Sequence, residues 1–240
     1  MKFARYKHDS DLSYAEGATL VFELLKTKPG IITQIFLRPT EKYGEDINKI
    51  LETAKSKNIP ITESSKPFNV LGAKNACLLI AEFKKTNTEI DPTQNHLLLV
   101  NPSDAGNLGT IMRTALAFDI RNIAIIPPAV DHFDPKTVRA SMGALFHLNI
   151  QIFSDFAAYK AQNPEHTTYA FMLNKHAETI LEASKHKSEP WTLVMGNESA
   201  GLPKEYEKLC KAVYIPQSED VDSLNLSIAT ALALYEFTQK

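Results

Sequence analysis

One guanidinium, Arg113, stands alone in 107-NLGTIMRTALAF-118, a run of otherwise apolar and small residues opened by Asn107. A planar fork of donors suits a phosphate. Gly109 and Thr110, four and three residues earlier, leave room beside it on a helix. Asn107 lies six residues before Arg113, a net rotation of about 240°, so the two do not share a helix face. Asn107 therefore belongs to a loop or first turn, where its short amide can aim at a ligand. A second loaded stretch is 191-WTLVMGNESAGLP-203, where Met195 and Gly196 end a strand, Asn197 and Glu198 follow, and Gly201 and Pro203 start a helix. Glycine at a strand's end lets a ligand approach bare backbone, and a carboxylate there can accept hydrogen bonds. By pattern alone, a solvated arginine and a surface glutamate on a tight turn fit these residues equally well.

The third stretch is 215-IPQSEDVDSLNLSIATALALYEF-237, with no charge between Asp222 and Glu236. From Leu224 its apolar stripes cover opposite sides, and a helix apolar all round must be buried all round. At the end of a sequence that implies cover by a partner subunit, or a segment tucked deep into its own fold.

The positioning elements read as follows. Leu20, Leu24 and Leu25 give helical spacing before a Pro29-Gly30 break, 31–37 reads as a strand, and 45–58 carries a stripe of Ile47, Ile50, Leu51 and Ala54. After 59-IPIT-62 and a loop, a strand at 76–83 completes a small α/β region, and the polar stretch 84-KKTNTEIDPTQN-95 reads as a linker. Beyond it, strand runs at 97–100, 122–127, 148–153, 168–173, 191–196 and 212–216 alternate with helical patterns such as 107–118 and 154–162. That alternation predicts a mostly parallel sheet whose ligands lie beyond the strands' carboxyl ends. The loops to read are then 101–107, 127–135, 197–203 and 216–224.

The 240 residues contain nine glycines, none of them in GxGxxG or GxxxxGK[ST], so a dinucleotide fold and a P-loop are excluded. HExxH, CxxC and GxSxG are absent, and the seven histidines are scattered, so no metal is assigned. Cys77 and Cys210 read as small buried hydrophobes in a reducing cytoplasm. The opening MKFARYKHDSDL has no leader pattern, and no run approaches the roughly twenty apolar residues of a membrane span. Net charge is −2: residues 1–90 hold 14 Lys and Arg against 11 Asp and Glu, residues 91–240 hold 12 against 17. The first part is mildly basic, a weak pointer to a polyanion.

Taken in order, NLGTIMRTA, LVMGNESAG and IPQSEDVDSLNLSIATALALYE resemble the three motifs of the SpoU-type, TrmH-like branch of the SPOUT superfamily, the RNA ribose 2′-O-methyltransferases. The stretch 134-DPKTVRASMGALFHLNI-150 is similar to that family's segment between the first two motifs. Glu16-Gly17 and 68-FNVLGAKNACLLIAEF-83 resemble the ribosomal-protein-like substrate-binding domain of many members. The resemblance implies an α/β fold with a mostly parallel sheet and a carboxyl-terminal deep trefoil knot, plus a small amino-terminal α/β domain. It divides the chain into an RNA substrate-binding domain (1–88), a linker (89–96) and a knotted methyltransferase domain (97–240).

It further implies that S-adenosylmethionine lies in the knot against Met195, Gly196, Ile215, Gln217 and Leu224. Arg113 matches the family's catalytic arginine and Asn107 the asparagine before it, while Glu198 and Asn225 match motif residues that shape the loops. The reaction is in-line displacement at a sulfonium methyl by a ribose 2′-hydroxyl. A guanidinium in a protein stays protonated, so the role expected of Arg113 is to bind the phosphate beside the target ribose and acidify the hydroxyl. Implied partners are RNA, ribosomal rather than transfer RNA, and a second copy packed through the knotted domain. The expected location is the cytoplasm, with no membrane and no metal. The alternatives are a tRNA 2′-O-methyltransferase and a non-catalytic RNA-binding or ribosome-assembly factor on the same fold.

Overall fold

The structure, a computed structural model, describes residues 3–239; Met1 and Lys2, which open the stretch read for a leader, and Lys240 lie outside the described residues. The described chain divides into two compact units. One takes the chain up to Thr86 together with Asp131–His147, the other Asn87–Val130 and Leu148–Lys240.

The first unit runs β1 (Leu12–Glu16), α1 (Ala18–Thr27), β2 (Ile32–Leu37), α2 (Glu45–Ser56), β3 (Ile61–Glu63), α3 (Lys66–Leu71) and β4 (Leu79–Lys84). Its sheet has the order β1-β4-β2-β3, antiparallel on both sides of β4, with β3 parallel to β2. The predicted stripes face inward: α1 buries Leu20, Leu24 and Leu25, and α2 buries Ile47, Ile50 and Ala54. β1 is unread in the sequence because Ser13, Tyr14 and Ala15 are all buried, which removes the alternation that marks a half-exposed strand.

The second unit continues with β5 (His96–Val100), α4 (Ala105–Ala117) and β6 (Asn122–Ile126). The chain then leaves it for α5 (Pro135–Ala140) of the first unit. It returns for β7 (Asn149–Ile152), α6 (Phe156–Gln162), β8 (Thr167–Phe171), β9 (Glu178–Thr179), α7 (Ile180–Lys185), β10 (Trp191–Met195), α8 (Tyr206–Leu209), β11 (Lys211–Tyr214) and α9 (Leu226–Thr238). Strand order is β7-β6-β5-β10-β8-β11-β9, and every pairing is parallel. β5, β6 and β10 are buried at every position, as the apolar strands of a sheet covered on both faces must be.

Two boundaries differ from the sequence reading. The stretch 131–147, assigned by sequence to the 97–240 domain, packs with the first unit. The Asp131 carboxylate accepts from Tyr6 Oη, from His8 Nδ1 at 2.9 Å and from Lys85 Nζ at 3.3 Å. Arg139 pairs with Glu16 at 3.2 Å and His147 with Glu23 at 3.1 Å. The stretch 89–96 is fastened rather than free, because Ile90 is buried in the second unit's core and the carbonyls of Asp91 and Pro92 accept from His96 and His166.

The last helix also begins later than expected, at Leu226, since the Asn225 side chain caps it by accepting from Ser227 N at 2.9 Å. One side buries Leu226, Thr230, Ala233, Leu234 and Phe237 and packs on α4, α7 and β10. The other leaves Ile228, Leu232 and Tyr235 exposed at 53%, 41% and 51%, so burial on every side does not hold within one chain. Cys77 and Cys210 are free and half-buried, and burial pushes both thiols up. None of the described helices is long and apolar enough to cross a membrane.

Candidate active site

β5 and β10 are neighbours from opposite halves of the sheet, so the chain leaves their carboxyl ends in different directions. In parallel sheets the crevice opened by such a reversal is where ligands bind. Here the 101–104 loop after β5 and the 196–202 loop after β10 are joined by side chains, and Glu198 is the centre of that junction. Its Oε2 accepts from Ser103 N (3.1 Å), Ser103 Oγ (2.7 Å) and Asn197 Nδ2 (3.2 Å). Its Oε1 accepts from Asp104 N (3.1 Å) and Asn107 Nδ2 (3.3 Å). Partial burial alone would raise the Glu198 carboxyl, but these donors together hold it below the usual glutamate range. The residue is an anion at neutral pH, seated at the amino end of α4 where the helix dipole favours one.

From Glu198 the bonds run onward in one direction. Asn107, in the first turn of α4, gives its amide hydrogen to Glu198 and accepts at Oδ1 from Asn225 Nδ2 at 3.1 Å. Asn225 must present its nitrogen because its oxygen is occupied at the start of α9. Three elements distant in sequence are thus wired by side chains whose orientations leave no choice. Glycine at 196 serves the loop before any ligand: a Cβ there would lie 2.3 Å from the Gly201 carbonyl carbon. Gly201, at φ +66°, closes a two-residue bridge to Asn197. It ends that turn rather than starting a helix, and α8 begins only at Tyr206.

Beside this network lies a cleft of about 410 Å³, bordered by Met195, Gly196, Ile215, Gln217 and Leu224, all five positions expected to hold the cofactor. Phe171, Leu202 and Leu226 add apolar wall, and Glu198, Glu207 and Asp222 add carboxylates. Of the four loops marked in the sequence, 101–107, 197–203 and 216–224 contribute to this region. The fourth, 127–135, is divided: Val130 N donates to the Pro102 carbonyl at 2.8 Å, while from Asp131 onward the loop belongs to the first unit.

The structure joins Asn107, Glu198 and Asn225 and leaves Arg113 out. Arg113 is exposed on α4, off the buried stripe of Leu108, Ile111, Met112 and Ala115, and borders neither the cleft nor the chain of amides. Sequence reasoning gave no role to Ser103, Asn197 or Ser223. The last two lie inside the quoted motifs and border the cleft, while Ser103 carries no signal beyond its place in a marked loop. Among the described residues no group of His, Cys, Asp and Glu is arranged to hold a metal.

Comparison with known proteins agrees with this geometry. Residues 94–235 match the SpoU rRNA Methylase family. A 23S rRNA (guanosine(2553)-2′-O)-methyltransferase of Bacillus subtilis is 27% identical over 228 residues, covering 92% of this chain and 86% of that protein. An uncharacterized tRNA/rRNA methyltransferase of Archaeoglobus fulgidus is 30% identical, over 81% of this chain and 86% of its own length. The AdoMet-bound rRNA methyltransferase of Sinorhizobium meliloti superposes with a TM-score of 0.79 at 27% identity, over 95% of this chain and 87% of that one. With more than half its length matched, the chain belongs to the SpoU rRNA methylase family and has that family's α/β fold, a parallel sheet with a carboxyl-terminal trefoil knot.

Proposed function

We propose that this chain transfers a methyl group from S-adenosylmethionine to a ribose 2′-hydroxyl in ribosomal RNA. The observation that carries this reading is the cleft at the strand ends, bordered by all five expected cofactor positions and adjoining the Glu198–Asn107–Asn225 chain. The residues present fit an adenosyl sulfonium. The volume lies within the range of small-molecule sites. Met195, Leu202 and Leu226 offer an apolar slot for a base, and ionised Glu198 complements a positive charge. When bound, the cofactor supplies an electrophilic methyl group.

Everything else falls to the chain. Asn107 keeps one amide hydrogen and one oxygen lone pair beyond its two bonds, enough to hold a ribose hydroxyl. Arg113 grips the phosphate beside that ribose and lowers the hydroxyl's pKa, and the proton leaves to water or phosphate. The first unit, including 131–147, docks the RNA. The enzyme works in the cytoplasm without a metal.

A second copy covers the bare face of α9. Ile228, Leu232 and Tyr235 form an apolar stripe at i, i+4 and i+7, and Tyr235 lies 6.3 Å from the Phe118 ring at the end of α4. A partner seated there comes beside the helix that carries Arg113, which supports an active site near the interface. Ile228→Glu is expected to leave monomers in analytical ultracentrifugation; an unchanged dimer would remove this part of the reading. The function itself is tested by mapping 2′-O-methyl positions in total RNA from cells with and without the gene. Loss of one ribosomal RNA position is expected. Loss of a transfer RNA position would replace the substrate, and an unchanged map would overturn the activity.

A further inference from the structure

We infer that Asn197 is the positioning residue that holds the cofactor loop and the Glu198–Asn107 pair in register; the inference rests on the methyltransferase reading of this cleft. Its side-chain orientation is fixed by its neighbours. The amides of Ser199 and Ala200 can only donate, and they reach Oδ1 at 2.9 and 3.0 Å. The nitrogen is therefore Nδ2, which donates to the Asn101 carbonyl at 2.9 Å and lies 3.2 Å from both Ser103 Oγ and Glu198 Oε2. The main chain of Asn197 also exchanges two hydrogen bonds with Gly201, at 3.2 and 3.0 Å.

One residue thus closes the 197–201 turn with its backbone and oxygen, and ties that turn to the end of β5 with its nitrogen. Asn101, which receives the shortest of these donations, sits at φ +55°, a conformation asparagine tolerates better than most residues. Because Glu198 is the next residue and orients Asn107, the tether sets the separation between Gly196 at the cleft and Asn107 on α4. The requirement is for a donor. A carboxylate at this position would confront the Asn101 carbonyl and the ionised Glu198 with lone pairs only.

That requirement gives a test no packing role would satisfy. The Asn197→Asp variant is titrated calorimetrically with S-adenosylmethionine and S-adenosylhomocysteine, in the full-length protein. At about pH 8 the introduced carboxylate is ionised, and affinity is expected to fall about tenfold or more. Asn197→Ala, which removes the donor without adding lone pairs, is titrated beside it. Its loss should be the smaller of the two, because the Asn101 carbonyl and Glu198 then lack a donor but face no added charge. Equal losses in the two variants, or no loss in either, overturn the inference.

If the aspartate variant does not fold, Asn197→Ala alone carries the test. Binding weakened by more than about twofold, with an unchanged melting temperature, is the supporting result. Affinity within about twofold of wild type is the overturning one. Wild-type protein that binds neither cofactor would sink the methyltransferase reading itself, an outcome distinct from both.

Discussion

Two polar networks stand at opposite ends of the same parallel sheet. At the carboxyl ends, Ser103, Asn107, Asn197, Glu198 and Asn225 are half-buried or exposed and centred on an anion. At the amino ends, His96 and Thr192 of β5 and β10 join Tyr159 of α6 and His166 just before β8, all at most 2% exposed. His96 Nδ1 lies 2.8 Å from the Tyr159 hydroxyl, which lies 2.6 Å from Thr192 Oγ1, which lies 2.8 Å from His166 Nδ1. The outer imidazole nitrogens hold the carbonyls of Asp91 and Pro92 at 2.8 and 2.9 Å. Burial pushes the His96 imidazole down to about 4 and the His166 imidazole downward, so both are neutral at pH 7.

Both networks use directional bonds to fix distant segments, and access to solvent separates their roles. The buried one has its bonds turned inward and can only stabilise. The half-open one keeps spare donors and acceptors beside a cleft, and can also bind.

The largest expected effect lies outside both networks and tests whether the open end is catalytic at all. Arg113→Ala should cut methyl transfer about a hundred- to thousandfold in single-turnover assays while cofactor affinity stays within about twofold, as expected for a group that acts mainly in the transition state. Near-normal turnover would dismiss its assignment. Next is Glu198→Gln, which sets an NH₂ group against the backbone amide of either Ser103 or Asp104. One mispaired donor of this half-buried network costs about 1–3 kcal/mol, so kcat/KM should fall about ten- to a hundredfold.

The matching change at the other end, His96→Phe, leaves the Tyr159 hydroxyl with Thr192 alone and takes the imidazole donor from the Asp91 carbonyl. It should lower the melting temperature by about 5 °C and leave kcat nearly unchanged. A large loss of kcat would erase the distinction drawn between the two ends.

The buried end should also contribute to acid sensitivity between about pH 6.5 and pH 4, alongside His132 of the first unit, which burial likewise pushes down to about 4. The folded pKa of His96 is depressed, so its contribution is present above the unfolded value of about 6.5 and is lost as pH falls toward the folded value, by a few kcal/mol at most. Thermal melts should become shallower in pH for His96→Phe than for wild type; identical slopes would refute this account. The smallest effect is that of Asn225→Ala, which removes the cap of α9 at about 1 kcal/mol. It should cost a few degrees of melting temperature and, through Asn107, a small part of kcat.

Much of this was legible in the sequence. The helical pattern over 107–118 forms α4 in the structure, and the apolar runs at 97–100, 122–127 and 191–196 form β5, β6 and β10, because periodicity is a local consequence of which side must leave water. The five positions that the family resemblance implies for the cofactor all border the cleft. The excursion of 131–147 was not, since its partners Tyr6, Glu16, Glu23 and Lys85 lie 46 to 125 residues away and no period links them. Nor was the tether at Asn197: an asparagine after a glycine reads as a turn residue, and only the presence of Asn101 across the strand end makes its nitrogen a clamp.

The sequence by itself determined the alternation of strands and helices, the family, and the residue types offered to chemistry, all of which depend on neighbours within a few positions. The tertiary structure alone decided that five donors converge on Glu198 and hold its carboxyl below the usual glutamate range, that Asn107 and Asn225 each face one way, and that Arg113 stands apart from them. Hydrogen-bond direction and ionisation depend on which groups approach within about 3 Å, and the fold sets that approach where chain order carries no record of it.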